Sequence, residues 1–141
     1  MRCLCHYILL ALYVFTSASC SQREQSWMLL SPDSKMKTEL HLNAEGKLYF
    51  TVSYNSTGRT FKEAVKKSPL GLIRNDTEFI EILRFVEIES HDQVSHTYEM
   101  VKGKKLRNSV VSNSMCLTLI NSDGHLLKVE VQAFNDGIGF R

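Results

Sequence analysis

The chain has 141 residues, 17 Lys and Arg against 15 Asp and Glu, and a net charge of +2 with its histidines neutral. That near-balance argues against nucleic acid as a partner, and a hydrophobic content of 43% is enough for one buried core. The basic cluster Lys102, Lys104, Lys105 and Arg107 around Gly103 reads as a solvated hairpin turn.

Residues 1–20 have the layout of an export leader and are set aside from the fold. Arg2 is a minimal positive start, Ile8 to Phe15 is a short apolar run, and Thr16-Ser17-Ala18-Ser19-Cys20 is a small-residue cleavage region. The run is far shorter than the roughly 20 residues that cross a bilayer, so no transmembrane span is expected. Ser17-Ala18-Ser19-Cys20 also resembles the lipobox of bacterial lipoproteins, with Ser17 where an aliphatic residue is usual. Lipidation at Cys20 and ordinary cleavage near Ala18 or Cys20 both fit. Either route implies an exported protein, periplasmic or held at the outer membrane as a lipoprotein. Cys3 and Cys5 fall in the leader and Cys20 at its boundary, which leaves Cys116 as a single internal thiol and removes any two-disulfide scheme.

The remaining 121 residues form one domain with a period of two. Met36, Thr38, Leu40 and Leu42 share one face of a run, the turn Asn43-Ala44-Glu45-Gly46 follows, and Leu48, Phe50, Val52 and Tyr54 alternate on the return. Asn55-Ser56-Thr57-Gly58 closes that hairpin. Phe61 to Lys67, ended by Pro69, can be read as a turn of helix. Phe79, Ile82, Leu83 and Val86 fit helical spacing, with Asn75 and Glu78 placed like a capping box. Val94, His96, Tyr98 and Met100 alternate again, as do Met115, Leu117 and Leu119 before the turn Asn121-Ser122-Asp123-Gly124. Leu127, Val129, Val131 and Ala133 complete the pattern, and Asn135-Asp136-Gly137 turns into Ile138 to Arg141. Strand, polar turn and strand at short spacing predict an all-β antiparallel sandwich. Because the sequence stops inside that last hairpin, the sandwich is expected to be incomplete at its C-terminal end and the chain to be the front part of something longer.

Candidate chemistry is thin. His91, Asp92 and His96 come nearest to a metal cluster, but positions five apart on a strand face opposite sides, and His96 shares its row with Tyr98 and Met100. His41 and His125 sit among turns and polar neighbours. Glu87, Glu89, Asp92, Glu99 and Glu130 supply carboxylates without any spacing that selects a catalytic pair. No catalytic or metal residue is therefore assigned. Trp27, Tyr49, Tyr54 and Tyr98 are the candidates for an aromatic sugar platform, with Trp27 better placed as a packing anchor. The triplets Asn55-Ser56-Thr57 and Asn75-Asp76-Thr77 mark surface turns.

Four pieces in order carry a resemblance. They are Trp27-Met28-Leu29-Leu30-Ser31-Pro32-Asp33-Ser34-Lys35, Leu48 to Tyr54, Ser68-Pro69-Leu70-Gly71-Leu72, and Val129 to Arg141. Together, over about residues 26–141, they resemble the N-terminal domain of family-97 glycoside hydrolases, a group of α-glucosidases and α-galactosidases. Ser34 stands where that family tends to have Gly, Gly139 where it has Ala, and the stretch from Ser56 to Lys67 is longer than usual. The resemblance implies a β-sandwich that accompanies a (β/α)₈ barrel, and in the family that barrel holds the catalytic carboxylates and calcium. No family catalytic or calcium residue maps onto this sequence, so the chain itself is expected to need no cofactor and to be accessory to hydrolysis. A self-sufficient carbohydrate-binding or surface-interaction sandwich is the alternative, and glycan binding by the isolated chain would favour it.

Overall fold

The computed structural model describes residues 23–102 and 106–141, with Ser90 and His91 described by their backbone. The expected leader, with Cys3, Cys5 and Cys20, and residues Gly103, Lys104 and Lys105 of the basic cluster lie outside the described residues. The chain is all-β, as the alternation predicts. Its strands are β1 (Gln25–Leu30), β2 (Met36–Leu42), β3 (Leu48–Tyr54), β4 (Lys62–Pro69), β5 (Leu72–Ile73), β6 (Glu78–Phe79), β7 (Arg84–Glu99), β8 (Arg107–Ile120), β9 (Leu126–Ala133) and β10 (Ile138–Phe140).

Two four-stranded antiparallel sheets face one another, one ordered β1-β2-β3-β4 and the other β10-β9-β8-β7, with β5 and β6 as a small separate ladder. Side chains alternate across a strand, and the inward rows fill the space between the sheets. Leu29, Leu40, Leu42 and Leu48 come from the first sheet, and Met115, Leu117, Leu119, Val129, Val131 and Ala133 from the second. Phe79 and Leu83, from the segment joining the sheets, complete the buried cluster. A fully buried side chain of this size contributes about 1.5–3 kcal/mol, so the two rows supply the main drive for stacking the sheets. Polar clamps close the two ends. Asn113 Nδ2 donates to the Leu30 carbonyl at 2.8 Å, and the Asp33 amide donates to Asn135 Oδ1 at 3.0 Å. At the opposite end the buried Asn121 donates through Nδ2 to Thr77 Oγ1 at 2.7 Å, while its Oδ1 accepts from the amides of Asp123 and His125.

The turns follow their residues. Asn43 and Asn121 each open a hairpin loop in which the residue three later, Gly46 or Gly124, takes a left-handed φ of 71° or 84°. Each loop is closed by the glycine amide donating to the asparagine carbonyl, at 3.0 and 3.2 Å. The β1–β2 loop repeats this with Ser31 in the asparagine's place: the Ser34 amide donates to the Ser31 carbonyl at 2.9 Å. Ser34 occupies the left-handed position there, at φ 57°. Gly at this position is what the backbone favours, which gives a physical meaning to the Gly that the family tends to have.

Two sequence expectations are corrected. Residues 61–67 are not helical; most of them lie in β4, an edge strand whose side chains are almost all exposed. Residues 79–86 are not helical either: Phe79 ends β6, residues 80–82 bend, and β7 begins at Arg84. Asn75 and Glu78 belong to the β5–β6 turn and its return strand and cap nothing. The row Val94, His96, Tyr98 and Met100 also differs from a buried face. Tyr98 is 51% and Met100 47% exposed, because the last β9 residue to pair with β8, Ala133, lies opposite Asn113.

Candidate functional site

Three surfaces bring polar side chains together. The first is the outer face of the second sheet. There Glu89 accepts from Thr118 Oγ1 at 2.6 Å and from Lys128 Nζ at 2.8 Å. Glu130 accepts from Gln132 Nε2 at 2.7 Å, Ser114 Oγ at 3.3 Å and the Arg141 guanidinium. The Lys128 ammonium and the Thr118 hydroxyl hold the Glu89 carboxyl below its usual range, and the Gln132 amide with Arg141 does the same for Glu130. Cys116 lies between these pairs, half-buried. Burial and then the Glu89 charge push its thiol up, which leaves it a poor nucleophile, as its lack of a base in the sequence suggested.

The second surface is a groove of about 450 Å³ between the β5–β6 turn, the 80–82 bend and the β8–β9 turn. On one wall Arg74 grips Asp76 with two hydrogen bonds of 3.0 and 2.6 Å, which holds that carboxyl low. Ile80 and Ile82 line the floor, and Ile82 is in the left-handed region at φ 58°, a costly conformation for a β-branched residue. The bend is held there by two backbone bonds onto the β2–β3 loop, from the Ile82 amide to the Glu45 carbonyl and from the Leu83 amide to the Gly46 carbonyl, each 3.0 Å.

The third surface is the outer face of the first sheet. Strand register places Ser26, His41, Tyr49 and Pro69 in one row across β1, β2, β3 and β4. Lys67 Nζ stands 4.5 Å from the Tyr49 ring centroid. Beside the row is a cleft of about 280 Å³ lined by Glu24, Gln25, Ser26, His41, Leu42, Asn43 and Lys67. The sequence proposed Tyr49 but not its companions. Pairing Leu42 with Leu48 around the Asn43–Gly46 turn would have put His41 opposite Tyr49 and was the available signal.

The other candidates are dispersed. Trp27 packs inward, its ring 4.8 Å from that of Phe85, as a packing anchor should. Tyr54 is 42% exposed, at the end of β3 and on the opposite parity to Tyr49, and Tyr98 belongs to the other sheet. The four therefore form no common platform. His91 and His96 occupy strand positions of opposite parity. The His96 ring packs 6.2 Å from Phe134, with Nε2 buried and unpaired. Among the described residues no group of three His, Cys, Asp or Glu is close enough to hold a metal ion. Asp33, Asp76, Glu89 and Glu130 each accept a hydrogen bond from a neighbouring side chain, which favours the charged carboxylate. All four proton affinities are lowered, the direction opposite to that of a general acid in glycoside hydrolysis.

Residues 29–141 match the family described as Glycosyl-hydrolase 97 N-terminal. Among solved structures, a β-arabinopyranosidase superposes with a TM-score of 0.72 at 26% identity, over 82% of this chain and 18% of that one. A glycoside hydrolase family 97 enzyme from Pseudoalteromonas sp. strain K8, in complex with acarbose, gives 0.67 at 17% identity over 81% and 17%. A variant of a family 97 enzyme from the same strain, in complex with panose, gives 0.66 at 17% identity, with the same coverage. The chain thus spans less than a fifth of the length of these enzymes. No curated protein matches it. With nearly all of its sandwich inside the matched residues, the chain belongs to the Glycosyl-hydrolase 97 N-terminal family.

Proposed function

We propose that this sandwich is the accessory, non-catalytic N-terminal domain of an exported glycoside hydrolase acting on α-glucosides or α-galactosides. The observation that carries the reading is the family match over residues 29–141, on a fold that fills only the first part of much longer enzymes. Its partner is a (β/α)₈ barrel that holds the catalytic carboxylates and the calcium of the family. The name of the more similar solved neighbour, a β-arabinopyranosidase, supports adding arabinopyranosides to the substrates to be tested. Residues 1–20 direct export, with the mature chain starting at or near Cys20 as a lipidated or an ordinary N-terminus. The alternative, a self-sufficient carbohydrate-binding sandwich, is favoured by the half-exposed Tyr49 row.

Three measurements test this. Purified chain is expected to release no nitrophenol from nitrophenyl α-glucoside, α-galactoside or β-arabinopyranoside. The reading frame through the Arg141 codon is expected to continue into a barrel. Turnover by the chain alone, or a frame with no barrel, refutes the accessory reading. Intact mass and N-terminal sequencing of exported protein decide the leader: a retained Met1 refutes export, and an unlipidated N-terminus rejects the lipoprotein form.

A further inference from the structure

We infer that the outer face of the β1–β4 sheet is a carbohydrate-contact surface, with the Tyr49 ring as its platform and the adjoining cleft as its hydroxyl-binding edge. The inference deepens the accessory reading and rests on it.

The strongest observation is a contrast between the cleft beside the Tyr49 row and the polar clusters elsewhere on the two sheets, where Lys37 and Glu39 of the first sheet also pair, at 3.2 Å. On the second sheet Glu89, Lys128, Glu130, Arg141, Gln132, Ser114 and Thr118 satisfy one another. On the first sheet the side chains of Glu24, Gln25, Ser26 and His41 engage no other described residue in a hydrogen bond or ion pair, although all four line the same cleft. They come from two strands and a preceding segment, so their convergence is set by the pairing of Ser26 with His41 and not by sequence proximity. Groups fixed on a paired sheet lose little freedom when a ligand arrives.

The chemistry of the set identifies the ligand class. Ser26 and Gln25 can both donate and accept, His41 adds its imidazole nitrogens, Glu24 accepts and Lys67 donates. A hydroxyl also does both, so a polyhydroxylated molecule matches this mixture. The charges of Glu24 and Lys67 cancel, which favours a neutral ligand over an anion or cation. Tyr49 supplies the apolar part. Its ring is half-exposed at the row's centre, where the C–H face of a pyranose can lie, and the next position in the row is exposed Pro69. Lys67 covers the ring through a cation–π contact. Such a contact is weak at an exposed site, so an arriving sugar takes the ring while the Lys67 ammonium turns to a hydroxyl. The groove beside Ile82 lacks this combination, since its lining has no aromatic side chain and its arginine is engaged by Asp76.

The test is a chemical-shift titration of the full chain with maltotriose and with methyl α-galactoside, with inorganic phosphate as the control. One of the two sugars is expected to shift Tyr49, His41 and Lys67 at millimolar concentration. Tyr49→Ala is expected to weaken binding about tenfold, the upper end for one aromatic contact. Gln25→Ala, at an exposed strand end, is expected to weaken it severalfold, and it keeps the test decisive if Tyr49→Ala fails to fold. No shift with either sugar, shifts confined to the Ile82 groove, or an equal response to phosphate overturns the inference. The outcome is separable from that of the accessory reading, because sugar shifts without a barrel in the reading frame leave this surface standing, and a barrel without sugar shifts does the reverse.

Discussion

Gly46 and Gly124 offer a controlled comparison, because they occupy the same position in two hairpin loops with nearly the same left-handed φ, 71° and 84°. Their surroundings differ completely. A Cβ on Gly124 would meet nothing within 4 Å, whereas one on Gly46 would lie 2.5 Å from the Leu83 nitrogen and 2.7 Å from Ile82 Cα. Both neighbours are backbone and cannot swing aside. Gly124→Ala should therefore cost only the left-handed penalty, about 1 kcal/mol. Gly46→Ala adds the displacement of the 82–83 segment. That movement breaks the two 3.0 Å bonds onto Glu45 and Gly46, about 1 kcal/mol each. It also lifts Leu83, fully buried in the core, at a cost of roughly 1–2 kcal/mol for partial exposure. The expected totals are about 4–5 kcal/mol for Gly46→Ala and about 1 kcal/mol for Gly124→Ala. Urea denaturation followed by circular dichroism reads both. Midpoints that imply costs within about 1 kcal/mol of each other would refute the close-packing argument.

Ser34→Gly should stabilise the chain by roughly 0.5–1 kcal/mol by relieving the φ of 57°, and a lowered urea midpoint would contradict this. Asn121→Ala leaves Thr77, the Glu78 carbonyl and two loop amides without their partner, so a loss of about 2–4 kcal/mol is expected in the same assay. Acid should destabilise the fold through Glu89 and Glu130. Their folded affinities for a proton are lowered, so their contribution is present above the unfolded value near 4.5 and is lost as pH falls through the lower folded one. Melting temperatures should drop over that window, and Glu130→Gln should make the drop shallower; an unchanged profile would show the pairs to be energetically silent.

Much of this fold could be read from alternation, and the exceptions have identifiable causes. The rows 36–42, 48–54, 115–119 and 127–133 are regular ladders with polar turns between them, and each buried the face that its apolar residues marked. The helical spacing of Phe79, Ile82, Leu83 and Val86 arises because three different structures follow one another within eight residues. Phe79 ends a strand, Ile82 bends through left-handed backbone, and β7 then starts with register shifts between Phe85 and Glu87 and between Ile88 and Ser90. Each shift resets strand parity, so no period of two survives there. β4 hid for a different reason: it is an edge strand with its own irregularities opposite Phe50 to Ser53 and almost nothing to bury. The Tyr49 row was half legible, since its aromatic member stands out by type while its polar members become neighbours only through hairpin register.

The β7–β8 pair continues beyond the Asn113–Ala133 position, with Val94 to Glu99 facing Arg107 to Ser112 and no β9 residue beside them. At about 3.4 Å per residue this arm is roughly 20 Å long. Its amides are paired across a single ladder, while those at the base of β8 sit in the middle of a sheet that is stacked on another. Isolated two-stranded ribbons are at best marginal in water. Amide exchange should therefore separate the strand into two regimes, fast along Arg107 to Ser109 and slow along Met115 to Leu119. A single strand would thus melt at one end as a local event and at the other only with the whole domain.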